Sequence, residues 1–182
     1  MNKLVSTEFA TFAKDTTKGL IAGFPVGTRV RTEHGERSIE TLQAGDRIIT
    51  RHGKLAEIKS VMTGNESPKD RPILIGKGAL GGGLPRRDVL MAPDQDILLA
   101  DPLLEQLFDC TTAMVTPRDL LSLGGVEEAE NITPLAYVQV ECETPEVLFC
   151  SGLACISNAA SGPFDQAPKL NREQTKTYLA QL

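Results

Sequence analysis

Three aspartates, Asp94, Asp96 and Asp101, lie close together in the chain, and carboxylates so spaced could hold a hard cation or divide acid and base roles. Four cysteines, Cys110, Cys142, Cys150 and Cys155, carry the thiols, but no two have the C-x-x-C spacing of a structural zinc site. Both histidines, His34 and His52, sit in glycine-containing turn sequences away from those cysteines, so no metal site is expected. Buried thiols behaving as small hydrophobes are the better account of the cysteines.

The run GKGALG, Gly76 to Gly81, matches the glycine pattern of a dinucleotide loop and follows the strand-like PILI, Pro72 to Ile75. Such a loop works only where it opens a helix whose amides meet a pyrophosphate. GGLPRRD follows it here and cannot continue a helix, so turn chemistry is expected and no cofactor. The pair Arg86-Arg87 beside Asp88 reads as an isolated cationic spot on that turn. A nucleophile elbow, a zincin helix motif and a phosphate-binding loop are all absent from the chain.

The elements that must position these groups are short. Extended runs at Thr28 to Thr32, Arg37 to Ile39, Arg47 to Thr50 and Leu55 to Met62 alternate with the turns EHGE, QAGD and RHGK. After the polar loop TGNESPKD come Pro72 to Ile75, Val89 to Ala92 and Ile97 to Leu99, a rhythm that predicts an all-β domain. The clearest strand is Tyr137 to Glu143, where Val138, Val140 and Cys142 alternate with Gln139 and Glu141. Glu146 to Cys150, across the turn Thr144-Pro145, is its expected partner.

Helices are few. Ser6 to Lys14 places Phe9, Phe12 and Ala13 on one face, and Asp101-Pro102 and Thr116-Pro117 each pair a capping residue with a proline at the first helical position, with Gly124 available as a stop. Asn171 with Gln174 forms a capping-box start, after which Thr175, Tyr178, Leu179 and Leu182 line one face. That helix is suited to dock on the domain or on a second copy.

The chain has 182 residues with a net charge of −5, which disfavours general attraction to nucleic acid or to an anionic membrane. The sign is divided: residues 1 to 100 hold 15 Lys/Arg against 12 Asp/Glu, and residues 101 to 182 hold 4 against 12. The N-terminus lacks a signal-peptide apolar run and nowhere do about 18 apolar residues follow one another, so a cytoplasmic location is expected.

Three blocks in order carry a resemblance: GFPVGTRVRTEHGERSIETLQAGDRIITRHG, then GALGGGLPRRDVLMAPDQDILL, then YVQVECETPEVLFCSGL. Together they resemble the Hint (Hedgehog/intein) family, in particular its bacterial stand-alone members, whose first block opens C-F-x-x-G-T-x-[VI] and whose middle block contains [SA]-P-x-H-x-x-L. The resemblance spans about residues 21 to 158 and implies an all-β horseshoe of two pseudo-symmetric halves, flanked here by short terminal helices. The arm would be 1–20, the β domain 21–160, and the linker and last helix 161–182.

In that family a Cys or Ser at the block start attacks the carbonyl of its own preceding peptide bond, converting an amide to a thioester or ester. A middle-block histidine assists by hydrogen bonding and proton transfer. By the resemblance the nucleophile's position falls on Gly23 and the histidine's on Gln95, while Gln139 and Pro145 stand where the late block could hold a histidine. Glycine has no attacking atom, and a glutamine amide shuttles no proton at neutral pH.

The expectation is therefore a degenerate Hint domain, a binding or assembly scaffold with an unknown protein partner and the option of homo-oligomers through its terminal helices. Two alternatives are weighed against it. One is a self-cleaving domain with a non-standard nucleophile near residues 23–28, for which Thr28 and Asp94 are the substitute catalytic groups. The other is a small-molecule site built on the Gly76 to Gly83 loop and its neighbouring aspartates.

Overall fold

Frequent turn residues cut this chain into short strands, and the computed structural model describes residues 23–65, 71–130, 136–159, 164 and 166–182. The helix expected over Ser6 to Lys14 lies outside the described residues. The strands are Phe24–Pro25 (β1), Arg29–Thr32 (β2), Gly35–Ser38 (β3), Arg47–Ile49 (β4), Leu55–Asn65 (β5), Ile73–Ile75 (β6) and Val89–Met91 (β7). They continue as Ile97–Ala100 (β8), Thr112–Val115 (β9), Val126–Glu128 (β10), Ala136–Cys142 (β11), Val147–Cys150 (β12), Leu153–Ile156 (β13) and Asn158–Ala159 (β14). Two α-helices, Pro102–Phe108 (α1) and Arg172–Leu179 (α2), complete the described architecture, which is all-β in class.

The main sheet runs β1-β11-β5-β4-β2-β12-β13-β8-β9, with β3 beside β2 and β14 beside β11. A smaller sheet orders β10-β6-β7. In β2 the side chains of Val30 and Thr32 are buried while Arg29 and Arg31 point outward, as a period of two requires. The turn after β2 reverses at Gly35, whose φ of +98° belongs to the left-handed region that glycine enters without penalty. The run expected as a strand through Ile39 ends at Ser38, because Ile39–Thr41 winds into a single 3₁₀ turn that buries Ile39.

One pairing differs from expectation. β12 does not pair with β11 but lies between β2 and β13. A strand has two edges, and those of β11 are taken: β5 runs antiparallel along one, from Ala136 opposite Asn65 to Cys142 opposite Ile58. β1 and β14 occupy the other. β5 is longer than expected, reaching Asn65, and so outcompetes the neighbour closest in sequence.

Alternate residues of β8, β9, β12 and β13 feed two clusters. Ile97, Val115, Leu148 and Cys155 join the main core, whereas Leu98, Met114, Val147 and Ile156 pack with Ala167 on the opposite face. The chain before α2 closes that second face by lying along β9: Met114 N donates to Pro168 O at 2.8 Å and Leu170 N to Met114 O at 2.9 Å.

Both capped α-helices form as expected. The Asp101 carboxylate accepts the Leu103 amide with Pro102 at the first position, and the Asn171–Gln174 capping box is reciprocal. The Thr116-Pro117 start yields only the 3₁₀ turn Pro117–Leu120. α2 docks on its own domain, with Thr175 and Tyr178 buried and the Tyr178 hydroxyl donating to Asp101 Oδ2 at 3.1 Å. No helix among the described residues is long and apolar enough to cross a membrane.

Candidate functional site

Gly23 stands at the entry to β1, buried, with φ at +134°. That conformation is one that L side chains rarely adopt. A Cβ placed there would lie 3.1 Å from both Gln139 Cγ and the Val138 carbonyl oxygen. The cause is the short ladder that follows, where Phe24 sits opposite Val138 and Pro25 opposite Tyr137, drawing the preceding residue against β11. At the position to which the resemblance assigns the nucleophile there is no side chain, and Gln139 occupies the adjoining space.

Gln95 is 3% exposed and lies in the turn leading into β8. Its amide nitrogen Nε2 donates to Ile156 O at 2.8 Å and to Asp96 O at 3.1 Å. Both donors of the side chain thus hold backbone carbonyls, a tie across the sheet between β8 and the end of β13. Pro145 precedes Glu146, whose amide donates to Ser157 Oγ at 3.0 Å and whose carbonyl accepts from Ser157 N at 2.9 Å. Gly23 and Gln139 are therefore brought together on one side of β11, while Gln95 and Pro145 adjoin the Ile156-Ser157 segment that leads into β14.

The substitute groups have partners of their own. The Thr28 hydroxyl, on an 8% exposed residue, donates to Pro25 O at 2.7 Å. Asp94 takes a two-pronged contact from Arg118, Nε to Oδ1 at 2.8 Å and NH2 to Oδ2 at 3.2 Å. Asp96 Oδ1 lies 2.6 Å from Lys169 Nζ, and Asp101 caps α1 and receives the Tyr178 hydroxyl. The three aspartates thus face three different partners. Among the described residues no group of three or more His, Cys, Asp or Glu is placed to hold a metal ion.

Two of the thiols, Cys142 and Cys150, sit in environments that disfavour the thiolate. Burial pushes the Cys142 thiol up, a hydrogen bond with Ser157 offsetting part of the effect, and burial beside Cys155 pushes Cys150 well up. Raised thiols hold their protons and are poor nucleophiles.

The glycine-rich segment is a compact loop, with Gly78 N donating to Pro85 O and Leu80 N to Leu84 O, each at 2.9 Å, and it opens no helix. Arg86 and Arg87, expected to be an isolated spot, instead share a cleft with Arg29, Arg31 and Arg51. The signal for this was the Arg-Val-Arg alternation of β2, which puts Arg29 and Arg31 on one face, but the convergence with a distant loop is a property of the fold.

Solved structures similar to the chain include the MchDnaB-1 intein, 10% identical with a TM-score of 0.49, covering 74% of this chain and 99% of that one. A bacterial intein-like domain from Clostridium thermocellum is 15% identical with a TM-score of 0.49, covering 75% and 99% respectively. The gp41-1 intein is 11% identical with a TM-score of 0.47, covering 75% and 97%. No protein of curated function matches the chain. The family model of the Hint domain matches residues 22–160, from the residue before Gly23 to just past β14, and with most of its length accounted for in this way the chain belongs to the Hint domain family.

Proposed function

We propose that this chain is a Hint domain without peptide-bond rearrangement at its first block, acting as a binding or assembly module. The observation that carries this reading is Gly23 itself: its φ of +134° and the 3.1 Å approach of Gln139 Cγ describe a site fitted to glycine. A nucleophilic side chain there would need a different backbone as well as a different residue. Gln95 supports the same reading, because its amide is engaged with the Ile156 and Asp96 carbonyls and lacks a titrating proton.

The test is the intact mass of freshly purified full-length chain, measured again after a day with thiol and with hydroxylamine, which cleaves esters. Full-length mass throughout is the expected result. Loss of a fragment ending at residue 22, or close to Thr28, would overturn the proposal and establish a self-processing domain with a displaced nucleophile.

A further inference from the structure

A cleft of about 520 Å³ opens between β2, the loop Gly81 to Arg87, β8, and the turn joining β12 to β13. Its volume lies within the roughly 300–1,000 Å³ typical of small-molecule sites. Five arginines line it, Arg29, Arg31, Arg51, Arg86 and Arg87, against two carboxylates, Glu36 and Asp101. This concentration of positive charge runs against the chain as a whole, which carries −5.

Of the five arginines outside the cleft, three are neutralised, while Arg71 and Arg172 stand singly on the exposed surface with no ion pair among the described residues. Arg37, Arg47 and Arg118 each pair with a carboxylate, Asp46, Glu33 and Asp94 in turn. None of the five cleft arginines forms an ion pair among the described residues. Asp101 gives its carboxylate to the Leu103 amide and the Tyr178 hydroxyl. Clustered guanidinium groups repel one another, an arrangement that an anion relieves.

Two of the five are already held in place without being neutralised. Arg29 donates to the Glu36 carbonyl at 2.9 Å and to Ser38 Oγ at 3.3 Å, and the Arg31 guanidinium stands 5.9 Å from the centre of the Phe149 ring. Such preorganisation lowers the ordering cost of binding, and the planar fork suits carboxylate and phosphate oxygens. Much of the remaining wall is apolar, with Leu80, Leu98, Leu153 and the 43% exposed Leu84, beside the hydroxyl-bearing Ser151 and Tyr178.

We propose that this cleft binds a small organic anion that carries at least two carboxylate or phosphate groups on an apolar or aromatic body. The anionic groups meet the arginines, and the body lies against Leu84, Leu153 and Phe149. Neither Gly23, Gln95 nor Gln139 lines the cleft, so the inference supplies a ligand class for a binding module yet stands or falls apart from the self-cleavage question.

Titration calorimetry of the full chain with four probes tests it: ATP, naphthalene-2,6-dicarboxylate, inorganic pyrophosphate and a 20-nucleotide oligo-dT. The proposal expects ATP or the dicarboxylate, distinguishing phosphate from carboxylate, to bind with Kd below about 1 mM and more tightly than pyrophosphate, with affinity falling as salt rises. R86A/R87A should weaken binding at least about tenfold, as should R51Q alone, while the control K77A should not. Melting curves of each variant establish that it is folded. No binding by ATP or dicarboxylate, or binding indifferent to R86A/R87A and R51Q, overturns the proposal; so does affinity that belongs to the oligonucleotide alone, which would mark a macromolecular surface. Equal affinity for pyrophosphate and ATP overturns the apolar-body half of it. Self-cleavage seen by mass leaves these outcomes unaltered.

Discussion

Gly23 and Gln139 share a space that would otherwise be disputed: a Cβ on the glycine would come within 3.1 Å of the glutamine Cγ. The position to which the resemblance assigns the nucleophile is thus crowded by a neighbouring side chain and held in a backbone conformation that L side chains rarely adopt. Phe24, at 2% exposure, buries its ring in the core from the next position and keeps the segment pressed against β11.

Replacing Gly23 by alanine should therefore cost stability. A non-glycine residue forced into sparsely populated backbone space costs on the order of 1–3 kcal/mol, and the crowding adds to it. A double-mutant cycle with Gln139→Ala should recover part of the loss, since the side-chain clash goes while the Val138 carbonyl and the backbone strain remain. Urea midpoints read both effects; a Gly23→Ala variant as stable as the parent would rule out this picture of the site.

Gln95→Glu exchanges a donor for an acceptor facing two carbonyl oxygens. At neutral pH the buried carboxylate has lost both hydrogen bonds and meets like partial charges, a loss on the order of 3 kcal/mol or more. The folded-state pKa of the new carboxyl is raised above its unfolded value near 4.3. Its protonated form is thus the one the fold tolerates, and stability relative to the parent is recovered as pH falls through the raised value and lost as pH rises through it. Melting temperatures of variant and parent between pH 4 and 8 measure this; a gap that does not narrow towards pH 4 would count against the Gln95 assignment.

The docking of α2 has an alkaline signature. Burial and the adjacent Asp101 carboxylate push the Tyr178 hydroxyl well above its ordinary value of about 10. With the folded pKa raised, the stabilisation is complete below pH 10 and lost as pH climbs from there towards the folded value, because only the unfolded chain ionises readily. Tyr178→Phe should lower stability by about 1 kcal/mol near pH 7 and flatten the decline above pH 10. The buried thiols Cys142 and Cys150 are raised too and add a decline of the same sign beginning near their ordinary values, so the comparison is between Tyr178→Phe and parent at each pH. An identical alkaline decline in both chains would show that Tyr178 is not its source.

Several local features could be read in advance because a few adjacent residues determine them. The Asp101-Pro102 start, the Asn171–Gln174 capping box and the alternation of Val138, Val140 and Cys142 all form as their side-chain chemistry dictates. The turn-rich rhythm and the three ordered blocks likewise led to an all-β Hint domain. What misled was the assumption that Glu146 to Cys150 must pair with the strand before it. Proximity in sequence favours a hairpin, but β5 offered a longer edge from far away in the chain.

By itself, then, the amino-acid sequence determined the class of fold, the positions of the caps and turns, and which residue types stand at Gly23, Gln95, Gln139 and Pro145. These follow from bonding and periodicity over a few positions. Only the tertiary structure decided that Gln139 fills the space beside Gly23, that residues 166–170 cover the second face of the sheet, and that Arg86 and Arg87 meet Arg29, Arg31 and Arg51 in one cleft. The physical reason is that a single pattern of side chains is compatible with many pairings of strand edges. Which edges meet is settled by burial and hydrogen bonding summed over the whole chain, and the same settlement brings distant charges together.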